Sequence, residues 1–95
     1  MRKIEEAMCA AVKERRDWKS GNTEVVNAYW CVNVYLHGNL IYREYLDGTV
    51  EFTLAGWNTV TTRSRLNALG IEVRQKNFNA IYNGEEINES KWYNK

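Results

Sequence analysis

The side chains best suited to chemistry lie between positions 57 and 70, in the stretch WNTVTTRSRLNALG. Three threonines follow Trp57 closely, and two arginines precede the leucines. Hydroxyl groups at the start of a helix can bind a phosphate, and an indole can stack on a base. A nucleotide or nucleic-acid site here would use Trp57, Thr61, Thr62, Arg63 and Arg65. The stretch also fits a purely structural helix, because Thr is a good N-cap and Gly70 follows the last periodic residue.

The other residues that could carry chemistry are dispersed along the chain. His37 is the only histidine, and Cys9 and Cys31 form no CxxC pair. Since a structural zinc ion needs four ligands, this set predicts neither a metal site nor a bound cofactor. Unpaired cysteines without a secretory signal are typical of reduced thiols in the cytoplasm. Because no residue set forms a catalytic arrangement, we expect the protein not to be an enzyme.

The composition favours one small globular domain with a binding role. The chain has 95 residues, which suffice for a single core, so residues 1–95 are one predicted domain with 88–95 loosely ordered. Thirteen basic and twelve acidic residues give a net charge of +1, less than a nucleic-acid binder normally carries. Four Trp and six Tyr are residue types that interfaces favour. No window reaches the roughly 20 apolar residues of a membrane span, so no membrane contact is expected.

The hydrophobic pattern predicts an α+β fold. Residues 2–16 have helical periodicity, and residues 23–37 alternate like one long strand. Two-residue loops at Gly38-Asn39 and Asp47-Gly48 then give a three-stranded antiparallel meander. The second helix follows, and after it come two to three short strands around an Asn83-Gly84 turn. Both helices are expected to cover one face of the sheet.

The predicted register divides the meander into two faces, because residues opposite one another share a face. One face is apolar with Arg43 as its single misfit, and on the other face Glu44 lies opposite Glu51. The second face is rich in tyrosine and predicts a protein-binding surface made of Tyr29, Asn33, Tyr35, His37 and Tyr42. Alternatively, the C-terminal segment with Trp92 and Tyr93 folds over this face.

Several spaced motifs give the chain a family resemblance. They are the run LHGNLI at 36–41, the run GWNT at 56–59, Thr61-Thr62, and the run RLNAL at 65–69. In this pattern the chain resembles a family of small bacteriophage and prophage proteins over residues 1–78. The resemblance implies a phage origin, and it carries over no catalytic residue.

We therefore predict a non-enzymatic phage accessory protein in the cytoplasm of the host cell. It binds a host protein through the tyrosine-rich face and modulates or inhibits that protein, which could belong to host defence. The alternative is a nucleic-acid or nucleotide-binding module that uses the threonine- and arginine-rich second helix. A homodimer is a further candidate assembly.

Overall fold

The computed structural model describes residues 2–95, which form two α-helices and nine β-strands. Helix α1 spans Lys3–Glu14 and helix α2 spans Val60–Ala68. The strands are β1 (Trp18–Ser20), β2 (Thr23–Asn27), β3 (Cys31–Leu36), β4 (Asn39–Tyr45), β5 (Val50–Phe52), β6 (Val73–Lys76), β7 (Asn79–Tyr82), β8 (Glu85–Ile87) and β9 (Tyr93–Asn94). No helix within residues 2–95 is long and apolar enough to cross a membrane.

The strands form two antiparallel sheets. The larger sheet has the order β1-β2-β3-β4-β5-β9, so β9 from the C-terminal end of the chain lies beside β5. The smaller sheet has the order β6-β7-β8 and turns at Asn83-Gly84 as the sequence predicts. The predicted α+β class with two helices is thus confirmed, and the predicted meander is present as β3-β4-β5, whereas the prediction of a single sheet is wrong.

One face of the larger sheet carries the hydrophobic core, and both helices lie against that face. Helix α1 buries residues at helical spacing, and the strands bury alternate residues. The smaller sheet contributes Val73 and Ala80 to the same core. The main apolar members are Met8, Ala11 and Val12 from α1, Leu66 from α2, and Val25, Val32, Val34, Leu36 and Phe52 from the larger sheet.

The predicted long strand over residues 23–37 is wrong, because the chain reverses in its middle. The amide of Ala28 donates to the carbonyl of Cys31 at 2.8 Å, and β2 then pairs antiparallel with β3. Neither Tyr29 nor Trp30 within the turn has a positive φ. A turn of this kind accepts any residue, so it has no glycine or Asn-Gly signal in the sequence. The alternation of residues on either side of the turn therefore resembled one uninterrupted strand.

The register between β3 and β4 also differs from the prediction. The two-residue turn consists of His37 and Gly38, both with positive φ, rather than Gly38-Asn39. A β-bulge next to Val34 shifts the pairing once more. Because a one-residue shift exchanges the two faces, Tyr42 points into the core and Arg43 points away from it. The inward-facing Arg43 of the prediction is thus wrong.

Helix α2 begins and ends as the sequence predicts. The Thr59 hydroxyl accepts a hydrogen bond from the amide of Thr62 at 3.2 Å, which is an N-cap. At the other end, Gly70 has φ +90°, and the amide of Ile71 donates to the carbonyl of Leu66 at 2.9 Å. These are the features of a Schellman ending. The strong sequence signals of this helix are therefore structural.

A buried ion pair joins the two helices. Arg65 and Glu5 are each 3 % exposed, and Arg65 Nη1 lies 2.8 Å from Glu5 Oε2. The Ser64 hydroxyl donates to the same carboxylate oxygen at 2.5 Å. Arg65 Nε donates to the Thr23 hydroxyl of β2 at 3.0 Å, and Arg65 Nη2 donates to Asn22 Oδ1 at 3.4 Å. This network connects α1, α2 and the start of β2, and it explains why a charged pair is tolerated in the interior.

The Glu5 carboxylate makes the stability of the fold dependent on acid pH. Burial raises the pKa of Glu5, but hydrogen bonds from Ser64, Arg65 and the amide of Arg2, together with the charge of Arg65, hold it below its ordinary value. Because the folded pKa is depressed, this stabilisation is fully present above the unfolded pKa of 4.5 and is lost as the pH falls through the folded pKa.

We expect the urea midpoint of the wild type to fall below pH 4.5 more steeply than that of a Glu5→Gln variant. Midpoints measured between pH 3 and pH 7 check this expectation, with Glu24→Gln on the other face of the sheet as the control for general charge effects. Parallel curves for the wild type and Glu5→Gln would contradict it.

Candidate functional site

The five residues of the predicted tyrosine-rich surface do not share a face. Asn33 and Tyr35 lie on the face of the larger sheet opposite the helices, but Tyr42 lies in the core at 3 % exposure. Burial, together with a hydrogen bond to Glu44, raises the pKa of the Tyr42 hydroxyl. Tyr29 lies at the β2–β3 turn, and His37 lies at the β3–β4 turn at the other end of β3. The five residues are separated because the chain turns at residues 28–31, which the sequence did not predict, and because the register between β3 and β4 differs from the predicted one.

The centre of this outer face is a polar network. Arg43 Nε donates to Asn33 Oδ1 at 2.9 Å, and its Nη1 lies 3.6 Å from Glu51 Oε1. The Tyr45 hydroxyl donates to the same Glu51 oxygen at 2.6 Å. The Arg43 guanidinium also lies 5.7 Å from the ring centre of Trp92. These groups satisfy one another's hydrogen bonds, and of the three tyrosines of the predicted surface only Tyr35 lies on the strands of this face.

The C-terminal segment contacts this outer face through Trp92. Strand β9 pairs with β5 along the edge of the larger sheet, and Trp92 precedes it beside Arg43. The Tyr93 ring turns to the core side, where its centre lies 6.0 Å from that of Phe52. Of the two aromatic residues in this segment, Trp92 thus lies on the outer face and Tyr93 packs against the core.

A second aromatic surface lies at the β2–β3 turn, and we call it the hairpin tip (Tyr29, Trp30 and Leu46). Tyr29 is 80 % exposed and Trp30 is 68 % exposed. Their ring centres are 4.6 Å apart with an interplanar angle of 80°, which is an edge-to-face pair. Leu46, from the neighbouring β4–β5 turn, is also exposed. Large apolar side chains in such a group are typical of protein-binding surfaces.

The backbone of the hairpin tip is held in place by hydrogen bonds. The amide of Leu46 donates to the carbonyl of Trp30 at 3.1 Å, which joins the two turns. The amide of Asn27, just before the turn, donates to the Asp17 carboxylate at 2.7 Å. Hydrogen bonds therefore hold the backbone that carries the exposed rings of Tyr29 and Trp30. Of this surface the sequence prediction identified only Tyr29, and it placed that residue within a strand.

Of the five residues of the alternative nucleotide site, three line one cleft and the two arginines do not. Arg65 is buried in the pair with Glu5, and Thr62 is buried beside the Thr59 hydroxyl at 2.9 Å. Arg63 Nη1 donates to the Asn58 side chain at 2.5 Å. Trp57, at 60 % exposure, the half-buried Thr61 and the buried Thr62 line an open space. The start of α2 thus presents an indole and a hydroxyl rather than two free guanidinium groups.

That open space is a cleft between the β3–β4 turn and the start of α2. Its volume is about 500 Å³, within the range of small-ligand pockets. Its floor is formed by apolar core residues, and Trp57 forms one wall. The lining residues are Leu36, His37, Asn39, Ile41, Leu54, Ala55, Trp57, Thr59, Thr61 and Thr62.

The described titratable groups do not assemble into a metal centre or an activated nucleophile. Residues 2–95 contain no group of three or more His, Cys, Asp or Glu side chains placed to hold a metal ion. Burial and the negative charge of Glu5 raise the pKa of the Cys9 thiol, which donates to the Ala68 carbonyl at 3.3 Å. The thiol therefore stays protonated at neutral pH.

Comparison with known proteins identifies one family. The family described as Kyanoviridae Gp96 protein matches residues 1–95. No curated protein and no solved structure was found to match. The bacteriophage origin implied by the sequence resemblance is thereby confirmed. Because the match extends over the whole sequence, the chain belongs to the Kyanoviridae Gp96 protein family of bacteriophages.

Proposed function

We propose that this phage protein is a non-enzymatic accessory protein that binds a host protein through the hairpin tip. The observation that carries the proposal is the exposed edge-to-face pair of Tyr29 and Trp30 on a hydrogen-bonded turn. In the folded monomer these rings bury little area, so they do little for the core. Tyr and Trp are the residue types that most often dominate the binding energy of an interface.

The geometry of the tip favours a folded partner with an apolar pocket. The two rings and Leu46 are exposed at one end of the sheet, so they would fit into a concave surface on the partner protein. Because hydrogen bonds already fix the backbone of both turns, little conformational entropy is lost when a partner binds. Binding in the host cytoplasm would then block or redirect the captured protein.

We expect a Tyr29→Ser/Trp30→Ser variant to lose capture of the host partner. Removal of two anchor rings from a binding interface typically costs at least about 2 kcal/mol, or about a 30-fold loss of affinity. The measurement is affinity capture from host lysate with quantitative mass spectrometry, followed by titration of the recovered protein. Size-exclusion chromatography of the same samples detects a homodimer, which is the alternative occupant of the tip.

A Phe78→Ser variant is the matched control. Phe78 is also a fully exposed aromatic residue in a two-residue turn, but it lies between β6 and β7. We expect this variant to capture the partner as the wild type does. If the Tyr29→Ser/Trp30→Ser variant still captures the partner, the tip is not the binding surface. If the wild type forms a stoichiometric homodimer that this variant does not form, the tip binds a second copy of the chain and not a host protein.

A further inference from the structure

We propose that the cleft between the β3–β4 turn and the start of α2 binds an uncharged heteroaromatic ring, with a nucleoside base as the ligand class. The cleft and the hairpin tip lie at opposite ends of β3, because β3 begins next to Trp30 and ends at Leu36. The two proposed sites therefore have no residue in common.

The floor of the cleft is preformed by the core. Leu36, Ile41 and Leu54 line it and are almost fully buried, so the core packs against them from behind. An apolar floor held in this way keeps its shape without a ligand, which lowers the entropic cost of binding. Its volume of about 500 Å³ is large enough for a nucleoside.

Trp57 stands beside the cleft because of an unusual turn. Ala55 and Gly56 both have left-handed backbones, with φ +54° and +83°. The Trp57 amide donates to the carbonyl of Leu54 at 2.9 Å, which closes the turn. Alanine rarely adopts this conformation, and such strain is concentrated at functional sites. The turn leaves the indole largely exposed at the wall of the cleft, where a planar ring can stack on it.

The polar groups of the cleft define the rest of the ligand. Among residues 2–95, those that line the cleft include no Lys, Arg, Asp or Glu, so no ammonium, guanidinium or carboxylate group lines it. His37, Asn39 and Thr61 supply hydrogen-bond donors and acceptors at the rim. An apolar floor, an aromatic wall and a rim of hydrogen-bonding side chains together fit a flat ring with a polar edge. This combination selects a base rather than a phosphate or a purely aliphatic molecule.

The test is a titration of the ¹⁵N-labelled full chain with adenosine, cytidine and cyclohexanol, followed by NMR. We expect saturable shifts with both nucleosides, largest at the Trp57 indole and at the Thr61 amide, and none with cyclohexanol. Loss of base stacking in Trp57→Ala should weaken adenosine binding at least fivefold. Thr61→Val, which removes a hydroxyl without changing side-chain shape, should also weaken it.

The matched control is Trp30→Ala, which removes an equally exposed indole from the other end of β3. It should leave adenosine binding unchanged, whatever its effect on partner capture. Three results would overturn the proposal: no saturation with either nucleoside, cyclohexanol binding in the cleft as tightly as adenosine, or adenosine binding that Trp57→Ala leaves intact.

Discussion

An Arg65→Ala variant is expected to lose about 3–5 kcal/mol of unfolding free energy, because it leaves the Glu5 carboxylate buried without its counter-charge. Arg65 also donates to Thr23 and to Asn22, so the substitution breaks contacts to β2 as well as to α1. For a domain of this size such a loss is a large share of the total stability. Urea unfolding followed by tryptophan fluorescence measures it.

Two further variants show whether Arg65→Ala is destabilising because it leaves the Glu5 charge unpaired in the core or only because an arginine side chain is lost. Arg74→Ala, at an exposed position in β6, should change stability by no more than about 0.5 kcal/mol. A Glu5→Leu/Arg65→Met variant removes both charges and should be more stable than Arg65→Ala, since it leaves no unpaired charge in the core. If Arg65→Ala unfolds at the wild-type urea midpoint, the pair does not hold the helices together.

Replacement of Phe52 by alanine is expected to cost about 3–5 kcal/mol, as for other buried phenylalanines. Phe52 is fully buried in β5, and its ring packs edge-to-face on Tyr82 of the smaller sheet with centres 4.9 Å apart. It also lies beside Tyr93 of β9. Removal of the Phe52 ring should therefore weaken the contact between the two sheets in addition to lowering the unfolding free energy.

Hydrogen exchange combined with thermal unfolding tests this expectation. Protection should fall most at amides of β7 and β9, whose aromatic residues lose their contact with the ring. Phe78→Ala removes the same side chain from an exposed turn and should leave stability within about 0.5 kcal/mol of the wild type. Equal stability of the two variants would show that Phe52 does not join the sheets.

The sequence predicted those parts of the fold that depend on local signals. A threonine N-cap, the left-handed Gly70 and the Asn83-Gly84 turn were predicted from signals within a few residues, and the structure contains all three, with Thr59 as the cap. The break in the predicted long strand was missed because the turn at Tyr29-Trp30 uses ordinary backbone conformations. Because this turn was missed, Tyr29 was predicted to lie within a strand, whereas it lies exposed at the hairpin tip.

The candidate sites could be predicted only in part, because they depend on long-range pairing. Arg65 was predicted as a phosphate-binding residue of α2, since nothing near it in the sequence shows that Glu5 reaches it across the core. The β-bulge next to Val34 decided which of Tyr42 and Arg43 is buried, and it has no clear sequence signal. Trp57 was predicted as part of the alternative nucleotide site, and the cleft beside it became visible only with the structure of the β3–β4 turn.

The position of β9 has a consequence for how the chain avoids aggregation. Strand β5 is only three residues long, and its outer edge is covered by Tyr93–Asn94 and by the Lys95 amide, which donates to the Val50 carbonyl at 3.0 Å. Without these residues, Val50–Phe52 would present unpaired backbone groups next to the core. An uncovered edge of this kind is a template onto which a strand of another chain can add. Strand β9 thus replaces the edge of β5 with an edge of two residues, which offers fewer backbone groups to a strand of another chain.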